Sequence, residues 1–565
     1  MPDRSVWVAV ASVVVSAVLL GPGSHEAVAQ PASATVIDVG GDVRFVADDG
    51  DTVRIAESAR YHGVVELRAT DGRIISDVTV EDYVAGIAEM PSRWPLEALK
   101  SQAVAARTYA WWVLERDTYD GYDICASTAC QVYRGADVVL DDGERWARAV
   151  TETAGEVLLD DAGAPVLARY FSTSGGRTYA NEEVFPSTGA MDHLVAVEDP
   201  DDAVSPFHRW TVRFDRDEFD GLLARGDTLQ AAVPVADVER QGPVTRHDAD
   251  LLVTGRDGTE VLVDALALRD FLNRFAPELD AARYPPRRAD GIARLPTTVP
   301  STRFDVDVDA DEVVIAGQGW GHGVGLGQYG ARGRADRGES YEAILATYYN
   351  GLEPRRTDEL PARIRVGLDR PVIAVDDTVA LRGDGPVRVE AADGVVVERA
   401  LGTWMASRNP DGWTLQAPEG HDADLVVSAT RRTEAFGARY AVEVDVNKPA
   451  LLELQVEDTA GQAVTRRRIG AVDAGTHAAT WDGSDTDGSP VADGTYEVVL
   501  IAEDAAGARS GSSTSVTVEG SRTETRAASD SPQNGLASTP VLVVLAVGGL
   551  LVALALLLLI RKEPS

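Results

Sequence analysis

From Thr35 to Val78 apolar and polar residues alternate between the turns Gly40-Gly41, Asp48-Asp49-Gly50 and Asp71-Gly72. This period of two predicts half-buried β hairpins. The period then changes. Thr79-Val80-Glu81-Asp82 reads as a capping box opening a short helix with Tyr83, Val84 and Ile87 inward, which delivers Glu89 at its end. Met90-Pro91 and Trp94-Pro95 interrupt the chain, and Pro95 suits the first turn of a new helix. In that helix Leu96, Leu99, Ala103, Ala106, Ala110 and Val113 recur at three- and four-residue spacing, so one face is core. Lys100, Gln102, Arg107 and Tyr109 point in other directions.

Further along, an apolar strand from Val166 to Phe171 runs into Ser172-Thr173-Ser174-Gly175-Gly176, and an α/β insert is expected between Pro200 and Pro300. The core is expected to resume at Phe304, with a strand over Asp311 to Ala316, the glycine-dense stretch Gly317 to Gly330, and a helix from Ser340 through Tyr349. A composition shift near Pro361 predicts one β-rich module over 361–444 and a second over 445–518. The expected class is a multidomain α+β protein: a mixed α/β core over 35–352, its first part (35–78) β-rich, followed by two Ig-like β-rich modules and a C-terminal transmembrane helix.

The ends suggest where such a chain resides. Arg4, the apolar run Val6 to Leu20 and Ala27-Val28-Ala29 read as a signal peptide over 1–29. Val541 to Ile560 is uncharged, is long enough to cross a bilayer, and is followed by Arg561-Lys562, which places the body outside. The Ser/Thr/Ala-rich residues 519–540 read as a flexible stalk. The expectation is an extracytoplasmic protein anchored by a single C-terminal helix, with its N-terminus outside. A net charge of −37 argues against nucleic acid as a partner, since such binding draws on a basic face, and fits a soluble exported surface.

Two places carry candidate chemistry. Glu89 stands against Met90, Pro91 and Trp94, where an apolar wall would keep a carboxyl protonated for general acid work. A surface Glu at a helix end is the plainer alternative, and spacing leaves both open. The run Gly319 to Gly330 sets six glycines around Trp320, His322, Gln328 and Tyr329. Its backbone can approach a ligand closely, and its aromatic rings can stack on sugars. Composition alone equally fits a glycine-rich strand-to-helix turn with a buried His. No Gly-Lys-Ser/Thr follows, which argues against a phosphate loop. Cys125 and Cys130 are the only cysteines, and an exported chain favours a disulfide between them over a zinc site. No metal and no cofactor is expected.

Taken together, Val80 to Ile87, Glu89-Met90-Pro91, Trp94 to Lys100, Gln102 to Ala110, Gln131-Val132-Tyr133, Ser172 to Gly176 and Gly319 to Gly330 resemble the SpoIID/LytB family over Asp71 to Leu352. That family comprises sporulation lytic transglycosylases and amidase enhancers. The resemblance implies that Glu89 is the catalytic acid/base and that Arg107, Tyr109, Gln131, Tyr133, Ser172, Ser174, Gly175, Gly176, Trp320, His322, Gln328 and Tyr329 line the substrate site. Some members hold zinc through Cys and His before the Gln-Val-Tyr block; this chain has Ala129 where they carry His. The implied reaction is cleavage of the MurNAc–GlcNAc bond of peptidoglycan with formation of a 1,6-anhydro sugar. The alternative is a non-catalytic scaffold that stimulates a partner amidase. Trp481 to Gly488 and Val491 to Tyr496 resemble the FlgD-type Ig-like module, with a tight turn rather than a calcium loop at the Asp cluster.

Overall fold

The alternating N-terminal residues form strands, as their period dictates, but their partners come from far along the chain. The computed structural model describes residues 35–518 apart from 57–58, 142, 244–248, 286–296, 393, 419–423 and 432–439. Val36–Gly40 pairs antiparallel with Gly412–Gln416, and Val43–Ala47 pairs with Val387–Ala391. Ile74–Thr79 pairs with Arg363–Gly367, which in turn runs parallel to Ile124–Cys125. Two sheets of six and seven strands result, and both draw on each end of the core. Between them Phe45, Val53, Val65, Val389, Trp404 and Trp413 are almost fully buried in one hydrophobic cluster with the long helix Leu96–Leu114.

The expected module over 361–444 is therefore divided. Its strands up to Gln416 complete the N-terminal sheets, because a half-buried strand needs edge partners and the first strands leave those edges open. Its strand Val427–Arg431 belongs instead to the C-terminal unit, which starts earlier than the expected residue 445. There, sheets of three and four strands face each other across Val442, Val444, Leu452, Leu454, Trp481, Val498 and Leu500, an Ig-like sandwich. The Asp cluster after Trp481 makes a turn in which Asp485 accepts the backbone N–H groups of Asp487 and Ser489. The sandwich is fixed to the core by Arg382 with Asp473 (3.1 Å), Arg399 with Glu503 (3.0 Å) and Arg468 with Asp51 (3.2 Å).

The insert is real but longer than expected. Phe304–Val308 and Glu312–Gly317 form a sheet with Trp210–Asp215, so the insert closes at Gly317 instead of near Pro300. Phe214, Phe219, Leu251, Leu268 and Phe304 give it a core of its own. Among the described residues no helix is long and apolar enough to cross a membrane. The expected signal (1–29), stalk (519–540) and transmembrane helix (541–560) lie outside the described residues.

Candidate active site

Thr79 caps the helix Val80–Ala85, its Oγ1 accepting the N–H of Asp82 at 3.1 Å. Gly86 caps that helix, and the residue is glycine because the Tyr133 ring lies where a Cβ would stand. Glu89 thus sits beyond the helix, not at its last turn. The chain leaves in an extended path stitched to the Gln-Val-Tyr block: Ile87 bridges to Tyr133, Ala88 donates to the Val132 carbonyl, and Val132 N–H donates to Glu89 Oε1 at 2.8 Å. Glu89 is half-buried.

Behind it lies a network of phenols and one amide. Tyr83 donates to Gln131 Oε1 at 2.7 Å, and Gln131 Nε2 donates to Tyr170 Oη at 2.9 Å and to the Ala106 carbonyl. Burial pushes the Tyr170 phenol well above its ordinary value, and the charge of Glu89 pushes it further. Tyr83 moves the same way, by burial first and then by Tyr109, Tyr133 and Glu89. These phenols stay protonated and hold Gln131 in a fixed orientation beside the carboxylate.

The glycine run comes to the same place from the other side. Leu326–Gly327 pairs parallel with Tyr170–Phe171, and Trp320 exchanges backbone hydrogen bonds with Thr173. Gly319, Gly321, Gly323 and Gly325 all take positive φ, between +78° and +97°, and a Cβ at Gly325 would strike the Arg169 carbonyl. His322 Nδ1 accepts from Val324 N–H, so the ring hydrogen belongs on Nε2, which donates to the Tyr170 carbonyl at 2.9 Å. Tyr170 therefore joins the glycine loop to the Glu89 network, through its carbonyl on one side and its hydroxyl on the other. An aromatic wall continues from the carboxylate's own turn. Trp94 meets Tyr329 edge-on at 4.7 Å, and Phe207 meets both Tyr329 (6.3 Å) and Trp320 (5.1 Å).

The expected site residues divide accordingly. Glu89, Tyr109, Ser172, Gly176, Trp320, His322 and Tyr329 are half-buried and can meet a ligand. Others act from behind. Arg107 is fully buried, bidentate to Glu81 at 2.9 and 2.7 Å, and donates to the Glu156 carbonyl, so it braces two helices instead of touching substrate. Gln131 is enclosed, Tyr133 stacks on Tyr83, and Gln328 is buried with its amide on Gln102. Ser174 and Gly175 are buried, and their N–H groups bind Asp202.

Cys125 and Cys130 form a disulfide, with Cα atoms 5.6 Å apart. Among the described residues no group of three His, Cys, Asp or Glu side chains is placed to hold a metal.

Sequence reasoning missed Tyr170, which read as one more strand residue, and the buried pair Asp199 and Asp202. Asp202 accepts from His208 Nδ1 at 2.9 Å and from the Ser174 and Gly175 amides, while Asp199 accepts from Tyr348 Oη at 2.7 Å. These carboxylates pin the Ser172–Gly176 loop to the helix after the glycine run. Asp-Pro-Asp-Asp in a loop offers no periodic signal of burial.

Comparison with known proteins places these features. Residues 69–159 match the family described as Stage II sporulation protein, SpoIID, and residues 428–506 match the FlgD Ig-like domain. The chain is 31% identical, over 55% of its length and 75% of the relative's, to an uncharacterized protein of Brachyspira hyodysenteriae. It is 27% identical to Stage II sporulation protein D of Bacillus subtilis, over 52% of this chain and 79% of that one. It is also 29% identical to the amidase enhancer of Bacillus subtilis, over 46% of this chain, spanning only 38% of the enhancer. With its Glu-Met-Pro turn, its Gln-Val-Tyr block and its C-terminal sandwich, the chain belongs to the SpoIID family, joined to an FlgD Ig-like domain.

Proposed function

We propose that this protein is a peptidoglycan lytic transglycosylase that cleaves the MurNAc–GlcNAc bond with Glu89 as its single acid/base. The observation that carries this reading is the placement of Glu89: half-buried, held by the Val132 amide, and backed by the Tyr83–Gln131–Tyr170 network that leads to His322. Tyr329 and Trp320, half-buried and backed by the buried rings of Trp94 and Phe207, supply apolar surface for sugar rings.

In the first half of the reaction the Glu89 carboxyl gives its proton to the glycosidic oxygen, and the bond from MurNAc C1 to that oxygen breaks. The carboxylate so formed takes the proton of the muramoyl C6 hydroxyl as that oxygen bonds to C1, which regenerates the acid and closes the 1,6-anhydro ring. Because the nucleophile belongs to the substrate, no second carboxylate is needed to activate water, unlike in ordinary glycosidases. The protein acts outside the cytoplasm on the cell wall, anchored through residues 541–560.

The test is mass spectrometry of purified sacculi incubated with the full chain. Anhydro-muropeptides are expected, and Glu89→Gln is expected to lower their rate of formation by about 10²- to 10⁴-fold, the usual worth of a general acid/base. A muropeptide profile unchanged from the untreated control refutes the reading.

The similarity to the amidase enhancer supports a second reading, a non-catalytic scaffold that stimulates a partner wall amidase. In that case Glu89→Gln leaves partner stimulation intact.

A further inference from the structure

Next to the candidate active site, a cavity of about 320 Å³ is lined by Arg93, Trp94, Pro95, Arg145, Arg332 and Asp336. Three guanidiniums against one carboxylate is an inversion of local charge in a chain whose net charge is −37. Such a cluster makes the cavity locally positive and favours an anion there.

Among the described residues Arg93 and Arg145 have no ion pair, while Arg332 pairs with Asp336. Arg145 donates one terminal nitrogen to the carbonyls of Arg93 and Trp94, at 3.0 and 3.1 Å. Arg332 lies over the Trp94 ring at 5.3 Å, and its nearest carboxylate, Asp336, is 3.6 Å away. Arg93 is exposed, and among the described residues it has no ion pair. Tyr329, on the glycine run, feels the positive charge of both Arg332 and Arg93 and packs against Trp94, which lines the cavity. From Glu89 to Arg93 is four peptide units, at most about 14 Å of backbone.

We infer that this cavity is a subsite for a carboxylate carried by the glycan strand, with Arg93 and Arg332 as its anion-binding side chains and Trp94 as its floor. The inference rests on the glycan reading above and deepens it. A planar carboxylate matches the planar donor fork of a guanidinium and can accept two parallel hydrogen bonds from it. Peptidoglycan offers this chemistry from two sources, the lactyl group of muramic acid on a peptide-free strand and the free carboxyls of a stem peptide.

The test is calorimetric binding to the full chain carrying Glu89→Gln, so that cleavage plays no part. The probes are soluble peptide-free strands, peptide-bearing strands, and both forms with their carboxyls converted to neutral methyl amides. Amidation is expected to weaken binding by at least about tenfold, and Arg93→Gln to remove most of that difference, while leaving amidated strands unaffected. Asp336→Asn, which removes the one competing carboxylate, is expected to tighten binding to carboxylated strands alone. A preference seen on peptide-free strands assigns the lactyl carboxylate, and one confined to peptide-bearing strands assigns the stem peptide; either supports the subsite. Equal affinity for carboxylated and amidated strands, or no binding of either, overturns it. The glycan-cleavage reading is judged separately, on the products that the unsubstituted protein releases.

Discussion

Asp199 offers a quantitative check on how the glycine run and the Ser172–Gly176 loop are joined. Its side chain is fully enclosed, packed against Gly327 and Gly330, and accepts the Tyr348 hydroxyl at 2.7 Å. Burial raises its pKa from 3.8 to about 6; the hydroxyls of Tyr348 and Ser174 oppose the rise, and the neighbouring Asp202 adds to it. The folded protein therefore keeps this proton where the unfolded chain has already released it. Stability from this group is complete below pH 4, declines between pH 4 and 6, and stays at its lower level above that. A difference of about two pH units corresponds to a loss of about 3 kcal/mol. Asp199→Asn cannot ionise and so escapes that loss; the fit of the amide itself adds only an offset that does not vary with pH. Urea unfolding of both proteins at pH 4, 5, 6 and 7.5, followed by tryptophan fluorescence, should show the stability difference moving toward the Asn variant by about 3 kcal/mol across that range. A difference that stays constant within about 1 kcal/mol refutes the buried, proton-bearing carboxyl.

The Glu81–Arg107 pair separates bracing from substrate contact. Arg107→Met takes from Glu81 its charge partner, leaving it the Gly155 amide, and removes donors to two carbonyls, which should cost about 3 kcal/mol in chemical unfolding while KM for glycan is unchanged. A raised KM with unchanged stability would return Arg107 to the substrate site. The shared sheets make a second claim. A chain ending at residue 352 loses from the two large sheets Arg363–Gly367, which lies between its two partner strands, and five further strands, and should be insoluble or lack cooperative unfolding, whereas one ending at residue 418 should keep a cooperative core. A soluble, cooperatively unfolding chain ending at 352 would show that the core is complete without those strands.

What was legible in the sequence was local or depended on a repeating period. The Thr79 cap, the helix Leu96–Leu114, the helix after Ser340 and the N-terminal strands each rest on residues a few positions apart and each is found, but the long helix is buried nearly all round, Gln102 and Arg107 included, and Val64–Leu67 and Ile74–Thr79 are buried on both faces. The glycine run could be read because four residues with positive φ can hardly be anything but glycine.

Tertiary structure decided the rest. An alternating strand states which of its faces is buried and says nothing of its partner, so the sequence could not show that Val36–Gly40 pairs with Gly412–Gln416 across the whole core. Polar side chains carry the same ambiguity. Arg107 and Gln131 suit a sugar site by type, yet they are buried because Glu81, Tyr83 and Tyr170 converge on them from separate elements. Tyr170 gains its place between Glu89 and His322 only when the parallel pairing of Leu326–Gly327 brings the two segments together. A buried polar group must find its hydrogen-bond partner wherever the fold supplies one, as His322 does with the Tyr170 carbonyl far back along the chain.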